Sequence, residues 1–270
     1  MTNRWPVAEL RAALDALVPG FAVEVVAEID STNTELMRRA RAGRPAPLLL
    51  VAERQTAGRG RLGRPWQSTA DGGTDAPDES LTFSIGLPLA PGDWSGLSLA
   101  VGVSVAESLD PAGSQLRLKW PNDLWTVQDR KLGGILVETA LPQASAAQRY
   151  LVIGIGLNIG PRKAAGLATV PAWLREFCPD AQAPQVLADI VPPLVRSVLG
   201  FAEHGFAAFA EGFAARDALR GRDVRLSDGT EGRCEGVGPG GELRVQTATG
   251  LQSVTSAEVS VRPSGGGVAP

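Results

Sequence analysis

Residues 58–64 carry the side chains best suited to chemistry, because they read Gly-Arg-Gly-Arg-Leu-Gly-Arg. Glycine lets main-chain N–H groups approach a ligand closely, and arginine can bind carboxylate or phosphate oxygens in a bidentate manner. The segment lies between an apolar run, residues 48–52, and Trp66, which is typical of a loop leaving a buried strand. It predicts a site for phosphate or an acidic small molecule. A merely solvated arginine loop is the alternative that these residues leave open.

The composition favours an ordinary soluble globular protein. The chain has 270 residues, 44% of them hydrophobic and 20% charged, and its net charge is −3. This length allows one sizeable core and a smaller second domain, and the charge argues against a generic nucleic-acid binder. No apolar run approaches the roughly 20 residues that cross a bilayer, and the N-terminus has no apolar signal core. We therefore expect a cytoplasmic protein that binds neither nucleic acid nor membrane.

Few residues are available for thiol or histidine chemistry. The two cysteines, Cys178 and Cys234, lie far apart in unlike segments, so neither a disulfide framework nor a paired thiolate zinc site is indicated. The one histidine, His204, lies in a stretch that reads as a helix and is the only candidate for a serine triad. An ordinary helix residue is the favoured interpretation. Chemistry in this chain must depend on Lys, Arg, Asn and backbone groups.

Apolar patterns in the first part of the chain predict strands mixed with helices. Helices are expected over 8–18 and 97–109, and strands over 23–29, 48–53, 81–87, 115–119, from Lys131 onward, and 150–159. Another helix should begin at Asp30-Ser31-Thr32-Asn33, where Thr32 and Glu35 fit a capping box, and Gly43 is expected to end it. The acidic stretch 70–80 is predicted to be a mobile insertion.

The last third of the chain changes character near residue 220. Apolar spacing is helical from 183 to about 219, although Pro192 and Pro193 are predicted to break or restart the helix. Short strands separated by glycine-containing turns follow, over 223–226, 232–237, 243–247 and 251–254. The predicted fold class is α+β. A mixed β-sheet domain packed with helices covers 1–219, a small SH3-like β-barrel covers 220–263, and 264–270 form a tail.

Five local clusters, in order along the chain, carry a resemblance to a known family. They are Ser31-Thr32-Asn33, Gln55 through the arginine loop to Trp66, Lys119-Trp120-Pro121-Asn122-Asp123, Lys131-Leu132-Gly133-Gly134-Ile135-Leu136, and Gly154-Ile155-Gly156-Leu157-Asn158-Ile159. Together they resemble the biotin protein ligases, which attach biotin to carrier proteins such as that of acetyl-CoA carboxylase. The resemblance covers nearly the whole chain. Because only 30 residues precede Ser31, it implies the ligase-only form, without an N-terminal winged-helix domain.

The resemblance implies a two-step reaction. Biotin's carboxylate attacks the α-phosphate of ATP, giving biotinyl-5′-AMP and pyrophosphate, and a lysine of a biotin carboxyl carrier protein then takes the acyl group. Negative charge is crowded in the first step, so fixed cations are required. By resemblance the catalytic residues are Lys131, Arg59 and Arg61. The enzyme is expected to use ATP and biotin as substrates with Mg²⁺, whose protein ligands are not predicted.

The same resemblance implies two sets of binding residues. The residues implied to bind biotin are Ser31, Thr32, Asn33, Gln55, Gly58, Arg59, Gly60, Arg61, Lys131, Gly133 and Gly134. The residues implied to bind the nucleotide are Arg61, Arg64, Trp66, Lys119, Asn122, Asp123 and Asn158. The expected partner is the carrier protein, and the chain is expected to be a monomer or a homodimer.

Purely structural interpretations of these clusters stand beside the functional one. In that interpretation Ser31 to Asn33 merely cap a helix, residues 120–123 merely form a turn, and Lys131 is an exposed lysine. Among enzymes, a lipoate-attaching ligase shares the adenylate chemistry but lacks the arginine–glycine loop as written here. A biotin-binding or RNA-binding regulator without catalysis is the alternative from another class, and the presence of Lys131 argues against it.

Overall fold

The structure, a computed structural model, describes residues 4–66, 79–141, 149–162, 169–255 and 261–263. The predicted insertion over 70–80 therefore lies outside the described residues except for Glu79 and Ser80, and the predicted tail over 264–270 lies outside them entirely. The helices are α1 Val7–Asp15, α2 Thr32–Arg41, α3 Leu97–Leu109, α4 Ala183–His204 and α5 Ala210–Arg216. The strands of the first sheet are β1 Ala22–Ile29, β2 Leu48–Gln55, β3 Ser80–Leu89, β4 Leu116–Lys119, β5 Asp123–Thr126, β6 Lys131–Ala140 and β7 Arg149–Asn158.

These seven strands form a mixed sheet in the order β1-β2-β3-β7-β6-β5-β4. Strands β1 and β2 are parallel, as a crossover through α2 requires, and the other neighbours are antiparallel. The structure confirms the predicted mixed sheet packed with helices. Sequence patterns did not predict β5 as a strand, because its first residue, Asp123, belongs to the predicted turn at 120–123.

The two faces of the central strands differ in chemistry because successive side chains point to opposite sides. Large apolar residues such as Phe83 and Ile155 lie in the core that the helices cover. The residues that alternate with them are small or polar, including Thr82 and Ser84 on β3 and Gly154 and Gly156 on β7. The sheet therefore has one face built for packing and a second face able to hold a site.

Helix α4 runs without interruption from Ala183 to His204 with Pro192 and Pro193 inside it, so the prediction that these prolines break the helix is wrong. Each interior proline costs a helix about 3 kcal/mol. The apolar residues on both sides, among them Ile190 and Leu194, are fully buried in the same core, and each contributes about 1.5–3 kcal/mol. Helix α4 is long and apolar enough to span a membrane by length and composition, yet it packs against α1 and α3.

The start of α2 corrects a second prediction. Ser31, not Thr32, is the N-cap residue, and its side chain accepts a hydrogen bond from the backbone N–H of Thr34. Glu35 forms ion pairs with Arg38 and Arg39 instead of closing a capping box with Thr32. Because the cap is one residue earlier than predicted, the Thr32 side chain is available for other contacts. Gly43, at φ +76°, follows the helix end as expected.

A second, antiparallel sheet follows, and it confirms the predicted small β-module. Its strands are β8 Asp223–Leu226, β9 Glu231–Val237, β10 Leu243–Thr247, β11 Gly250–Val254 and β12 Val261–Pro263, in the order β11-β10-β9-β8-β12. The three-residue edge strand β12 was not predicted. This sheet is docked on the first, because the buried Trp120 donates its indole N–H to the Gly241 carbonyl (3.0 Å) and Arg222 binds both oxygens of Asp129.

Candidate active site

Glycines form the floor of the site on the open face of the first sheet. Gly134 on β6 pairs with Gly156 on β7, two residues from Gly154 on the same face. A Cβ atom on Gly154 would overlap the Asn33 side chain, and one on Gly156 would overlap the Trp66 ring. These glycines thus allow the start of α2 and Trp66 to lie directly on the sheet.

Gly133, which the sequence predicts beside Gly134 in the biotin site, faces the opposite side of the sheet. A Cβ atom there would lie 2.7 Å from Leu157 Cδ2 and 2.5 Å from the Gly156 carbonyl oxygen. Leu157 belongs to the core. Gly133 therefore permits close packing of β6 on β7. Gly134 borders the site, since a Cβ atom on it would lie 3.6 Å from both Asp123 Oδ1 and Lys131 Nζ.

One end of the floor is lined by buried hydroxyl and amide groups. Ser31, Thr32 and Asn33, each 3% exposed, are brought together with Gln55 at the end of β2. Gln55 Oε1 accepts from the backbone N–H of Thr32 (2.8 Å), and Thr32 Oγ1 lies 3.1 Å from it. Ser84 of β3, which the sequence analysis missed, lies 2.7 Å from Thr32 Oγ1 and 2.6 Å from Asn33 Oδ1. The polar alternation of Thr82 and Ser84 was the available signal.

The arginine–glycine loop folds as a small hairpin above this floor. Trp66 N–H donates to the Gly58 carbonyl (2.8 Å), and Gly60 N–H donates to the Arg64 carbonyl (2.7 Å). A Cβ on Gly58 would lie 2.5 Å from the Trp66 carbonyl oxygen, so this position requires glycine. The loop end carries Leu62 at φ 56°, with a side chain that is 57% exposed. The hairpin presents its arginines on both sides.

The loop arginines point to different ends of the site. Arg59 donates from Nε to Thr34 Oγ1 (3.0 Å) and pairs with Glu138, so its guanidinium lies beside α2 and not beside Lys131. Arg61 donates to Asn122 Oδ1 (3.4 Å) at the other end. Burial lowers the pKa of Arg61, and the neighbouring Arg64 lowers it further, while Asp123 opposes both effects. Of the two predicted catalytic arginines, the structure brings Arg61 to the charged cluster.

Lys131, at the start of β6, forms the centre of that cluster. Its Nζ lies 2.6 Å from Asp123 Oδ1, and both side chains are largely buried. Asn122 is fixed beside them, because its Nδ2 donates to the Ile135 carbonyl (2.7 Å) and its carbonyl accepts from the Ile135 N–H (2.9 Å). The turn at 120–123 therefore positions functional groups against β6, and Lys131 is not simply an exposed lysine.

Lys119 is a buried cation next to this pair. The residue is 8% exposed, and burial lowers the pKa of its ammonium group to about 8. Asp123 raises this pKa, whereas Lys131, Arg262 of β12 and Arg64 lower it. Nζ lies 5.0 Å from the centroid of the Trp125 ring, which stabilises the charged form.

The cluster as a whole is cationic. Arg61, Arg64, Lys119 and Lys131 surround Asp123 closely enough to alter one another's pKa or to form direct bonds. Such a concentration of partly desolvated positive charge is costly in the protein alone and favours an anion with several charges.

Asn158 and Trp66 occupy the edges of the cluster. Asn158 Nδ2 donates to the carbonyls of Ala172 (2.9 Å) and Lys131 (3.4 Å), so it ties the segment after residue 169 to the start of β6. The Trp66 ring covers Gly156, and its buried indole N–H has no acceptor within the described part of the chain. Trp66 and Asn158, two of the residues implied to bind the nucleotide, therefore border the cationic cluster. The Asn158 amide, however, is engaged by backbone carbonyls.

Among the residues that the structure describes, no three His, Cys, Asp or Glu side chains gather in a group that could hold a metal ion. Asp123 is the carboxylate of the cluster, and Lys131 already occupies one of its oxygens. A divalent ion at this site would thus need most of its ligands from phosphate and water.

Comparisons with known proteins place these observations in a family context. The model of the biotin/lipoate A/B protein ligase family matches residues 25–158. The chain is 32% identical over 249 residues to the bifunctional ligase/repressor BirA of Escherichia coli, covering 90% of this chain and 75% of that relative. It is 30% identical over 254 residues to a biotin–[acetyl-CoA-carboxylase] ligase of Paracoccus denitrificans, covering 87% of this chain and 98% of the relative.

The fold also matches a solved structure of a biotin protein ligase from Aquifex aeolicus in complex with biotin and ATP. The TM-score is 0.72 at 29% sequence identity, and the match covers 90% of this chain and 99% of that one.

Proposed function

This chain belongs to the biotin protein ligases, and we propose that it activates biotin with ATP to biotinyl-5′-AMP and transfers the biotinyl group to a lysine of a biotin carboxyl carrier protein. In the first step a biotin carboxylate oxygen attacks the α-phosphorus and pyrophosphate leaves. In the second step the carrier amine attacks the acyl carbon, a C–N amide bond forms, and AMP leaves.

The observation that carries this proposal is the cationic cluster beside a pocket of neutral hydroxyl and amide groups. Carboxylate and triphosphate repel each other, so the first step needs preorganised positive charge where both meet. Lys131, Arg61, Arg64 and Lys119 supply that charge around Asp123. We assign the triphosphate to this end, with Asn122, Trp66 and Asn158 at its border.

We assign biotin's ureido ring to the uncharged end of the floor. That ring offers two N–H donors and one carbonyl acceptor, and such a ligand needs both kinds of partner. The buried side chains of Ser31, Thr32 and Asn33, together with the half-buried Gln55, provide both within one pocket. The biotin chain would then run from this end past Trp66 toward Gly134, and its carboxylate would reach Lys131.

Lys131 and Asp123 are the proposed centre of the transfer step. The compact ammonium group of Lys131 can follow negative charge from the biotin carboxylate to the phosphate of the leaving AMP. Asp123, 2.6 Å from Lys131 Nζ, fixes that ammonium and is available to the incoming carrier amine. Arg59 and Gly60 remain proposed biotin residues, with Arg59 acting from the α2 side of the loop.

Magnesium enters the proposal as an ion bound mainly by ATP, because Mg²⁺ keeps several waters and commonly bridges phosphates with few protein ligands. Asp123 is the residue whose free oxygen could join that shell. We also propose that 1–219 form the catalytic domain and 220–263 the small domain. A cytoplasmic location and a monomeric or homodimeric state complete the proposal.

The test is ATP-dependent labelling of a carrier-protein lysine by the purified chain, with biotin and lipoate compared in parallel. We expect labelling with biotin that requires Mg²⁺ and is at least 100-fold faster than labelling with lipoate. Lys131→Ala should lose at least 100-fold in rate. Arg54→Ala is the matched control, since Arg54 is a half-exposed cation on β2 paired with Glu28 away from the site. No labelling, or equal labelling with lipoate, would refute the proposed substrate.

A further inference from the structure

Glu138, a residue of β6 outside every site assignment above, connects the two parts of the proposed biotin pocket. Its Oε2 accepts from Asn33 Nδ2 (2.9 Å). Both carboxylate oxygens also lie near Arg59 Nη2, at 3.3 and 3.2 Å. One carboxylate thus holds a buried residue of the pocket floor and an arginine of the hairpin above it.

Glu138 and the Leu136 carbonyl together determine which way the Asn33 amide points, because Asn33 Nδ2 donates to both (2.9 and 3.3 Å). An ionised carboxylate only accepts hydrogen bonds, so the Asn33 NH₂ group must face Glu138 and its Oδ1 must face Ser84. Because Oδ1 also only accepts, the 2.6 Å contact requires the Ser84 hydroxyl to donate to it. Ser84 has one hydroxyl proton, and this contact uses it.

The same constraint continues to Thr32. Thr32 Oγ1 lies 2.7 Å from Ser84 Oγ and 3.1 Å from Gln55 Oε1, so two hydroxyl protons serve three contacts. Because the Ser84 hydroxyl donates to Asn33, the Thr32 hydroxyl donates to Ser84 Oγ, the nearer of its two neighbours. Gln55 Oε1 still accepts from the Thr32 backbone N–H (2.8 Å). The donors of this chain all point toward Glu138, which leaves acceptor lone pairs at the Thr32 end.

We propose that Glu138 is a positioning residue that fixes the donor and acceptor order of the biotin pocket and holds Arg59 of the hairpin beside it. The inference rests on the proposed function, since it assigns this pocket to the ureido ring. Acceptors fixed at the Thr32 end recognise the N–H donors of the ureido ring, and they oppose a ring in which one of those donors is blocked. Through Arg59 the same carboxylate links the floor to the hairpin.

The position of the Arg59–Glu138 pair separates this role from a contribution to the core. The pair lines a surface cleft of about 430 Å³, together with Thr34 and Met37. Its side chains are 42% and 25% exposed, respectively. Arg59 can therefore leave Glu138 without opening the hydrophobic core, and loss of the pair should change the pocket and the hairpin before it changes global stability.

The experiment compares Glu138→Gln with wild type and with Glu24→Gln in the full chain. Gln keeps the size of the side chain but can present an NH₂ group to Asn33 and cannot pair with Arg59 as a charge. Glu24 is the matched control because both of its carboxylate oxygens accept from Nη1 of Arg39 on α2 (2.9 and 2.8 Å), away from the pocket. Calorimetry measures biotin binding without ATP, and mass spectrometry measures trypsin cleavage after Arg59 and Arg61.

We expect Glu138→Gln to weaken biotin binding at least 10-fold and to accelerate hairpin cleavage at least 5-fold, while Glu24→Gln stays within 2-fold on both. The preference for biotin over a biotin methylated on one ureido nitrogen, which lacks that N–H donor, should shrink at least 5-fold. Wild-type affinity, cleavage rate or preference in Glu138→Gln would overturn the inference, as would a loss of affinity with an unchanged preference. If wild type itself binds no biotin, the proposed function fails, whereas the cleavage comparison still tests the link to the hairpin.

Discussion

Replacing Lys119 by Met should stabilise the fold and weaken the use of ATP. The pKa of Lys119 falls from 10.5 to about 8, chiefly because of burial. At about 1.4 kcal/mol per pKa unit, keeping this side chain charged costs the folded state about 3 kcal/mol below pH 8. The contact with Trp125, worth about 0.5–2 kcal/mol, is lost in the variant and offsets part of the gain. A net gain of about 1–3 kcal/mol is expected at pH 7.

The pH dependence of this effect has a defined sign. Because the pKa of Lys119 is lower in the folded than in the unfolded chain, the unfolded chain binds more protons between pH 8 and 10.5. The free energy of unfolding of wild type should therefore rise relative to that of Lys119→Met across this window. The advantage of the variant is full below pH 8 and is lost as the pH approaches 10.5.

Equilibrium urea unfolding of both proteins at pH 7 and pH 9.5 measures this difference, and steady-state kinetics at pH 7 measure KM for ATP. We expect a KM for ATP at least 10-fold higher in Lys119→Met, because a cation facing the triphosphate is lost, and a KM for biotin within 3-fold. A variant that is less stable than wild type at pH 7, or a stability difference that does not change with pH, would refute the reasoning.

Two further substitutions test packing. Gly154→Ala places a Cβ on the Asn33 side chain, so we expect a loss of about 1–3 kcal/mol in unfolding free energy and at least a 10-fold rise in KM for biotin. Gly200→Ala is the control, because nothing lies within 4 Å of the added Cβ, and it should instead stabilise α4 by about 0.5–1 kcal/mol. Equal effects of the two substitutions in urea unfolding and kinetics would contradict these expectations. Arg216→Met removes the ion-pair partner of the buried Asp110 carboxylate, which keeps its hydrogen bonds from the backbone N–H groups of Ser114, Gln115 and Leu116. Calorimetric unfolding should therefore show a loss of about 1–3 kcal/mol, and an unchanged stability would be inconsistent with the pair.

Sequence patterns predicted the elements best where local and tertiary preferences agree. Helix α3 has the predicted bounds, because its apolar and small residues suit a buried helix. Helix α4 shows the opposite case, since burial on both sides of Pro192 and Pro193 outweighs a strong local preference against helix. Strand β5 was missed because it begins inside the predicted turn at 120–123, and β12 was missed because three residues give too little periodicity.

The candidate site was predicted as a set of clusters, but its internal contacts depend on strand register. The strand period of two places Gly133 and Gly134 on opposite faces, and the sequence analysis grouped them because it read the pair as one motif. The partners of Arg59 could not be predicted, since Glu138 lies 79 residues away and meets it only through the sheet. Ser84 had a local signal in its alternation with Thr82, but its contacts with Thr32 and Asn33 likewise depend on the register of the sheet.

The proposed reaction depends on one cationic cluster that brings the biotin carboxylate and the α-phosphate of ATP together. Exchange of labelled pyrophosphate into ATP, measured without carrier protein, tests this dependence most directly, because adenylate formation is reversible and needs no second step. We predict exchange that depends on biotin, that lipoate does not support, and that Lys131→Ala reduces at least 100-fold while Arg54→Ala stays within 2-fold. Exchange that is independent of biotin, equal with lipoate, or retained in Lys131→Ala would contradict the account.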